Sequence, residues 1–381
     1  MRIGLVAGEA SGDTLGETLI EVLLKRYPNA VFEGIAGPKM QRLGARSLYD
    51  MSLLSVRGYS TEVLCSLWKL LRIRRELRQH FLVNPPDLFV GIDAPDFNLA
   101  LEKSLKAAGI PVIHFVAPSV WIWRSGRIPL IREAVHGILA LFPFEQEIFE
   151  RAHIPIRFVG HPLARQISTE PNQEEARNHL GLKSHEIWLA FLPGSRLSEI
   201  RGHAQLMAQT AILLRQEMPS IQFLVPFVNE QTKVLFEHLW QQVAPEIQVR
   251  ASIGQAQKML IAANGALVAS GTATLEAALC HCPHIITYRM SALSAWWIRR
   301  RGLSGSVGLP NIIAGSSIVP EYLQEQATPE ILAQALLNLI GDEEAQKKMR
   351  LAFVNLHQKL AIDPEKPILD MVEELLLHGH L

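Results

Sequence analysis

Short apolar runs alternate with longer helix-patterned stretches along almost the whole of this chain. Residues 3–7 read as a strand, 13–25 as a helix, 31–36 as a strand and 61–81 as a helix. Further strands are predicted at 88–92, 112–116, 137–140 and 157–160, with helices over 98–108 and 143–151. Strands alternating with helices imply parallel βαβ units and a doubly wound α/β sheet. The segment 166–186 then turns polar, close to Pro162 and Pro171, and reads as a linker. Beyond it the pattern restarts, with strands at 187–192, 221–225, 266–269 and 285–288 and helices at 203–216, 233–243 and 274–280. Helices over 330–339, 343–360 and 367–378 close the chain. The expected organisation is two Rossmann-like domains, 1–170 and 171–345, followed by C-terminal helices over 346–381. Ligands of open parallel sheets bind beyond the carboxyl ends of the strands, so an interdomain cleft is the expected active site.

Composition narrows the class. Apolar residues make up 48% and charged residues 19%, which suits large cores. Lys plus Arg and Asp plus Glu are 37 each, so no global charge points to nucleic acid. Cys65, Cys280 and Cys282 make no disulfide framework, and Cys280-His281-Cys282 is too tight for a zinc site. Reduced, buried thiols of a cytosolic protein are expected. The chain enters a strand at once, without the layout of a signal peptide, and has no apolar run of membrane-spanning length.

Several strand ends carry chemistry. In Val6-Ala7-Gly8-Glu9-Ala10-Ser11-Gly12-Asp13 the glycines would let backbone amides approach a ligand, with Glu9 and Ser11 beside it. The plainer reading is a tight turn with a Thr14/Glu17 capping box. In Gly91-Ile92-Asp93-Ala94-Pro95-Asp96-Phe97-Asn98 an apolar strand ends on two acids. Asp96 is placed to cap the next helix, whereas Asp93 has none to cap and is the better proton acceptor. Pro118-Ser119-Val120-Trp121-Ile122-Trp123-Arg124 sets two tryptophans in a strand-end loop, either as packing or as a ligand rim. Leu192-Pro193-Gly194-Ser195-Arg196 runs from a strand into a glycine, a hydroxyl and a guanidinium, an anion site suited to a diphosphate. Ala269-Ser270-Gly271-Thr272-Ala273-Thr274-Leu275-Glu276 repeats the idea, with Glu276 placed to take ribose hydroxyls or to balance a helix dipole. Two such loops in one half favour a nucleotide. No Asp-x-Asp pair or His/carboxylate cluster lies near them, so the leaving charge falls to Arg196 and helix amides rather than to a metal.

Residues 61–80 form an unusual helix. Val63, Leu64, Leu67, Trp68, Leu70 and Leu71 share one broad arc, and Arg74, Arg75 and Arg78 continue it. A helix dipping one end into lipid, with arginines at headgroup level, has this layout. The alternative is an amphipathic helix packed on its own domain.

Taken together, GEASGD, GIDAPDFN, PSVWIWR, GHPL at 160–163, LPGSR, ASGTATLE and LPNIIAG at 309–315 resemble the lipid-A-disaccharide synthase family, in order and over nearly the whole chain. Arg165 and Ser306 stand where the family would place an acid and an aromatic residue. The resemblance implies a GT-B fold whose C-terminal helices pack back on the first domain. It implies an inverting, metal-independent glycosyltransferase that needs no cofactor. The donor would be UDP-2,3-diacylglucosamine and the acceptor 2,3-diacylglucosamine 1-phosphate, giving the β-1,6-linked lipid A disaccharide 1-phosphate and UDP. Such an enzyme is cytoplasmic and peripheral on the inner face of the cytoplasmic membrane, which gives the 61–80 helix a lipid surface as partner. On this likeness Asp93 is the general base, Arg196 and Asn311 serve donor binding or catalysis, and Ser195, Ser270, Gly271, Thr272 and Glu276 bind UDP. Glu9, Ser11 and Trp123 are candidates on the acceptor side. The apolar C-terminal helices are compatible with a homodimer, and nothing calls for nucleic acid. The rivals are a UDP-sugar 2-epimerase of the same fold and a non-catalytic nucleotide-binding scaffold on the membrane surface. Release of UDP that depends on an acylated acceptor separates the three.

Overall fold

The computed structural model describes residues 1–54, 62–120, 125–289 and 306–378, with backbone alone at 62–67, 125 and 378. Two compact units emerge: Met1–Pro162 with Leu360–Leu381, and Leu163–Lys359.

The first unit holds a seven-stranded parallel sheet. Its strands are β1 (Arg2–Ala7), β2 (Val31–Ile35), β3 (Arg46–Ser47), β4 (Leu88–Ile92), β5 (Val112–Phe115), β6 (Gly137–Ala140) and β7 (Ile156–Phe158). The order is β3-β2-β1-β4-β5-β6-β7. Every residue of β4 is buried, as expected of a strand covered on both faces. Side chains alternate between two cores: Ile3, Leu5, Leu88, Val90 and Ile92 on one face, Val6 and Phe89 on the other. The first core is closed by α1 (Ala10–Arg26), and the second by α3 (Glu62–Val83) and α4 (Pro95–Lys106). Between β2 and β3 lies the short α2 (Pro38–Arg42), and α5 (Ile128–Ala134) and α6 (Phe144–Glu150) follow β5 and β6.

The second unit repeats the plan with six parallel strands: β8 (Trp188–Leu192), β9 (Gln222–Phe227), β10 (Val249–Ile253), β11 (Gly265–Ala269), β12 (His284–Tyr288) and β13 (Glu321–Leu323). Their order is β10-β9-β8-β11-β12-β13. Strands β3, β10 and β13 escape a reading of apolar runs because each is a sheet edge that is very short or half exposed.

Three expectations are corrected. The polar stretch 166–186 is not a bare linker. It holds the helix Gln173–Leu180, capped by Asn172 and ended by Gly181 in the left-handed region. Its Arg177 is 6% exposed and bonds the carbonyls of Ala262 and Ser184 and the Asn264 Oδ1. The polarity belonged to caps and to one buried guanidinium. The return of the chain to the first unit begins at Leu360 rather than at residue 346, because the helix Glu343–Leu360 places Met349 and Phe353 in the second unit's core. The apolar stripe of the last helix, Glu365–His378, is not a free dimer face. Ile368, Met371, Val372 and Leu375 are fully buried in the first unit's core. Ion pairs Lys25–Glu365 and Arg26–Glu373, at 2.6 and 2.8 Å, flank that seam.

Glu145, in the first turn of α6, is 1% exposed and accepts a hydrogen bond from the Phe142 amide at 3.0 Å. Burial pushes its carboxyl up to about 8. In the unfolded chain a glutamate titrates near ~4.3, so the folded state holds a proton that the unfolded state releases across this window. The resulting stability is full below the unfolded value and is lost as pH rises toward about 8. The melting temperature should therefore fall by roughly 10 °C more between pH 5 and pH 8 in the wild type than in Glu145→Gln. Parallel pH profiles for the two proteins would refute the assignment.

Candidate functional site

Both sheets reverse their winding direction once, between β1 and β4 in the first unit and between β8 and β11 in the second. Ligand crevices of open α/β sheets form beyond the strand ends at such a reversal. The loops singled out from the sequence sit at these two points.

In the first unit, Ala7 pairs with Ile92, so the loop after β1 lies beside the loop after β4. A Cβ on Gly8 would stand 2.8 Å from the Ala94 Cβ, too close for any side chain. Asp93 extends the ladder by one bond, its amide donating to the Phe115 carbonyl at 2.8 Å. The backbone then turns through two consecutive left-handed residues, Asp93 at φ 52° and Ala94 at φ 44°, and α4 starts on Pro95. Val116, at the end of the neighbouring strand β5, has φ 82°. Positive φ is uncommon outside glycine and is a true outlier for a β-branched residue. Three strained residues thus gather at one strand-end edge, where function is often found. The Asp93 side chain is partly exposed, and no described residue bonds its carboxylate.

What holds this turn lies beneath it. Asn98, fully buried on α4, donates from Nδ2 to the Asp93 carbonyl at 2.8 Å. One turn further on, Glu102 Oε1 lies 2.6 Å from Nδ1 of His114 on β5, and both residues are 0% exposed. Gly91 makes room, since a Cβ there would come within 1.9 Å of Glu102 Oε1. Asp96 does not cap α4. The helix begins before it, and Asp96 instead pairs with Arg127 at 2.6 Å.

The loop after β1 is also built differently from expectation. Helix α1 begins at Ala10 with Glu9 as its N-cap, so there is no Thr14/Glu17 capping box, and the Thr14 hydroxyl donates back to the Ala10 carbonyl. Asp13, 3% exposed, accepts from the amides of Lys39 and Met40 and thereby caps α2. The glycines serve close packing: Gly8 against Ala94, Gly12 against Ala7 and Gly16 against Met40. Glu9 is half-buried and Ser11 exposed. Trp123 lies outside the described residues.

In the second unit, Val268 of β11 pairs with Leu192 of β8, which sets the two glycine loops side by side. After β8, Gly194 (φ 113°) and Ser195 lead to Arg196, the N-cap of α7 (Leu197–Glu217). After β11, Ser270 donates its amide to the Thr287 carbonyl, and Gly271 (φ 137°) caps α8 (Thr272–Leu279). That backbone region is essentially glycine's alone. Gly271 and Thr272 are exposed, leaving the positive end of α8 open to an anion. Glu276 lies one turn in, and burial raises its carboxyl pKa against a hydrogen bond from Gln257.

A family model described as lipid-A-disaccharide synthetase matches residues 3–371. The chain belongs to the lipid-A-disaccharide synthase family. The lipid-A-disaccharide synthase of Methylobacillus flagellatus is 48% identical over 365 residues, 96% of each chain. That of Haemophilus influenzae is 44% identical over 378 residues, 98% of this chain and 97% of its own. Among solved structures, the UDP-GlcNAc 2-epimerase of Neisseria meningitidis bound to UDP-GlcNAc superposes with a TM-score of 0.60 at 12% identity, covering 99% of both chains. The kitacinnamycin glycotransferase superposes with a TM-score of 0.61 at 14% identity over 98% of both. These distant structures share the GT-B fold, which serves glycosyltransferases and epimerases alike. Family membership makes the chain a glycosyltransferase of lipid A biosynthesis, and the epimerase alternative keeps only distant likeness of fold.

Two residues stand differently from what the synthase resemblance implied. Asn311, expected among the catalytic groups, is 2% exposed with its amide fully used. Its Nδ2 donates to the Val319 carbonyl and Glu321 Oε1, and its Oδ1 accepts from the amides of Ile318 and Val319. It staples the segment before β13 and has no donor left for a substrate. Arg196 is not a free guanidinium. Glu199 accepts from it at 3.0 Å and also from the amides of Ser195 and Arg196 at 2.8 and 3.2 Å. A carboxylate of the chain itself thus occupies the place assigned to a diphosphate. The sequence carried a signal for this, since Glu199 stands three residues after the N-cap, the place of the acid in a capping box. Asn98, Glu102 and His114 were missed for a different reason: each is a polar residue inside a helix or strand pattern that looks purely structural.

The surface of α3 is also redrawn. Ile73, Leu77 and Phe81 are its buried stripe. Trp68 (73% exposed) and Leu71 (44%) lie on the outer face with Arg72, Arg75 and Arg78. Leu70 and Arg74 are half-buried, and the side chains of Val63, Leu64 and Leu67 lie outside the described residues. No described helix is long and apolar enough to cross a membrane.

Proposed function

We propose that the chain transfers a 2,3-diacylglucosamine unit from its UDP donor to the 6-hydroxyl of 2,3-diacylglucosamine 1-phosphate, with inversion. The Asp93 carboxylate takes the hydroxyl proton as the oxygen attacks the anomeric carbon and the bond to UDP breaks. The negative charge that develops on UDP is met by the amides that open α8 and by Arg196. Ser270, Gly271 and Thr272 border that diphosphate site, Ser195 lies on its other side, and Glu276 takes the ribose. For Arg196 to reach a phosphate, Glu199 must share or surrender it. Glu9, Ser11 and Trp123 remain acceptor-side candidates.

The observation that carries this reading is the Asp93 carboxylate, without a partner among the described residues, on a strained turn at the winding reversal. Among the described residues it caps and pairs with nothing, which suits a proton acceptor. The test is UDP release by the purified protein in mild detergent, with UDP-diacylglucosamine present and diacylglucosamine 1-phosphate added or withheld. Release should require the acceptor. Equal release in its absence would indicate a hydrolase or an epimerase-like enzyme.

The outer face of α3 supports residence at a lipid surface. Exposed Trp68 and Leu71 can enter the acyl boundary while Arg75 and Arg78 meet anionic headgroups. The double variant Trp68→Ser/Leu71→Ser should bind anionic vesicles at least about tenfold more weakly in a sedimentation assay. Undiminished binding would return α3 to a purely structural role.

A further inference from the structure

The Asp93 turn needs support that its own two residues do not give. Asp93 and Ala94 stand at φ 52° and 44°, and α4 starts on Pro95 without a side-chain cap. Successive left-handed residues other than glycine persist only where the surroundings hold them. Three hydrogen bonds do so. The Asp93 amide donates to the Phe115 carbonyl at the end of β5, at 2.8 Å. The Asp93 carbonyl accepts from Nδ2 of Asn98 on α4, also at 2.8 Å. The Ala94 carbonyl accepts from the Asn98 amide at 3.0 Å. Asp93 is thus clamped at both peptide ends, from β5 on one side and from Asn98 on the other.

Asn98 suits that place in its chemistry. It is fully buried, and its Nδ2 also faces the carbonyls of Val6 at 3.3 Å and Ile92 at 3.5 Å. All three oxygens are acceptors, so the nitrogen end of the amide is the end that meets them. They lie where β1 and β4 end, at the winding reversal.

The Glu102–His114 bridge braces the two clamps. Glu102 lies on α4, one turn beyond Asn98, and His114 lies on β5, next to Phe115. Their contact at 2.6 Å ties the helix that holds the Asp93 carbonyl to the strand that holds its amide. Gly91 lets this frame close on β4, since a Cβ there would stand 1.9 Å from Glu102 Oε1 and 3.1 Å from the Asn98 Cβ. Asn98 Oδ1, Glu102 Oε2 and His114 Nε2 are buried and meet no partner among the described residues. A frame that served stability alone would carry apolar groups in those places.

We infer that Asn98, braced by the Glu102–His114 bridge, is a positioning residue that aims the Asp93 carboxylate at the acceptor hydroxyl. The inference rests on the transferase reading and deepens it. Asn98 touches no reacting atom. It fixes the backbone of Asp93, and the backbone sets the direction of the side chain. A misplacement of about 1 Å can cost roughly 100-fold in rate.

The experiment is a kinetic cycle on the full-length protein: wild type, Asn98→Leu, Asp93→Asn and the double variant. UDP release gives kcat and the KM of each substrate, and thermal unfolding is followed in parallel. Asn98→Leu should lower kcat at least about tenfold and leave both KM values within about threefold of wild type. In the Asp93→Asn background the same substitution should lower kcat by no more than about threefold, because no base is left to aim. General damage to the unit would instead repeat the full loss in both backgrounds. A loss below tenfold in Asn98→Leu overturns the inference. So does a loss above threefold in the Asp93→Asn background, or a rise in either KM at unchanged kcat. Should Asn98→Leu lose its unfolding transition, Asn98→Ser, whose shorter side chain leaves the Asp93 carbonyl unmet, decides by the same criteria. Full activity of Asp93→Asn would instead sink the base assignment, and release of UDP without acceptor by the wild type would sink the transferase reading itself.

Discussion

Asp93→Asn should lower kcat by roughly 100- to 10,000-fold, the usual weight of a positioned general base. Its melting temperature and its affinity for UDP should remain those of the wild type. The substitution is chosen for its backbone. Asparagine enters the left-handed region more readily than most residues, so the turn at φ 52° and 44° is kept and only the proton acceptor is lost. Asp93→Ala would mix two effects, since alanine has no side chain to favour that conformation. UDP binding is the control, because the loops assigned to it belong to the other unit. Full activity of Asp93→Asn at saturating substrates would remove Asp93 from the chemistry. Weakened UDP binding with normal kcat would move it to a donor-binding role.

The second large effect concerns stability. His114→Ala leaves the Glu102 carboxylate buried with its hydrogen-bond partner gone. Deleting one member of a buried pair costs about 3 kcal/mol or more, because the remaining group is left desolvated and unpaired. In a unit of this size that is a fall of roughly 10 °C in melting temperature. Replacing both members, as Glu102→Met with His114→Leu, should recover most of the loss, since no polar group is then stranded. Loss below about 1 kcal/mol in His114→Ala would mean that the pair has no structural weight. Turnover gives an independent readout of the double variant. Asn98 lies one helical turn before Glu102 on α4 and holds the Asp93 carbonyl, so a stable double variant with depressed kcat would show that the pair also orders the turn.

Much of the architecture was legible because buried parallel strands write themselves as apolar runs. Strands β4 and β6 fall on the predicted residues. Helix starts were read too late: α4 begins at Pro95 rather than residue 98, and α7 at Leu197 rather than residue 203. The first turn of α7 is polar and carries a capping box, α4 opens on Pro95-Asp96 without a side-chain cap, and apolar periodicity begins only afterwards. The site was legible in its loops but less so in its roles. Glycines in GEASGD suggested ligand approach, yet Gly8 packs loop against the Asp93–Ala94 turn and Gly12 packs helix against strand. A residue type cannot reveal whether its free space faces a ligand or a neighbour. Asn311 illustrates the same limit, since a buried amide with four bonds and a catalytic amide are written with one letter.

The place of the last helix has a consequence for how the molecule is made. Ile368, Met371, Val372 and Leu375 complete a core whose other members, Ile3, Leu5 and Leu19 among them, leave the ribosome first. The N-terminal unit therefore waits, with part of an apolar face uncovered, while nearly 200 intervening residues are translated and collapse into a separate core. The domain that starts first must finish last. An exposed apolar face held that long is a natural target for holdase chaperones. It also makes loss of the last twenty or so residues a folding defect of the first unit rather than a trimmed tail.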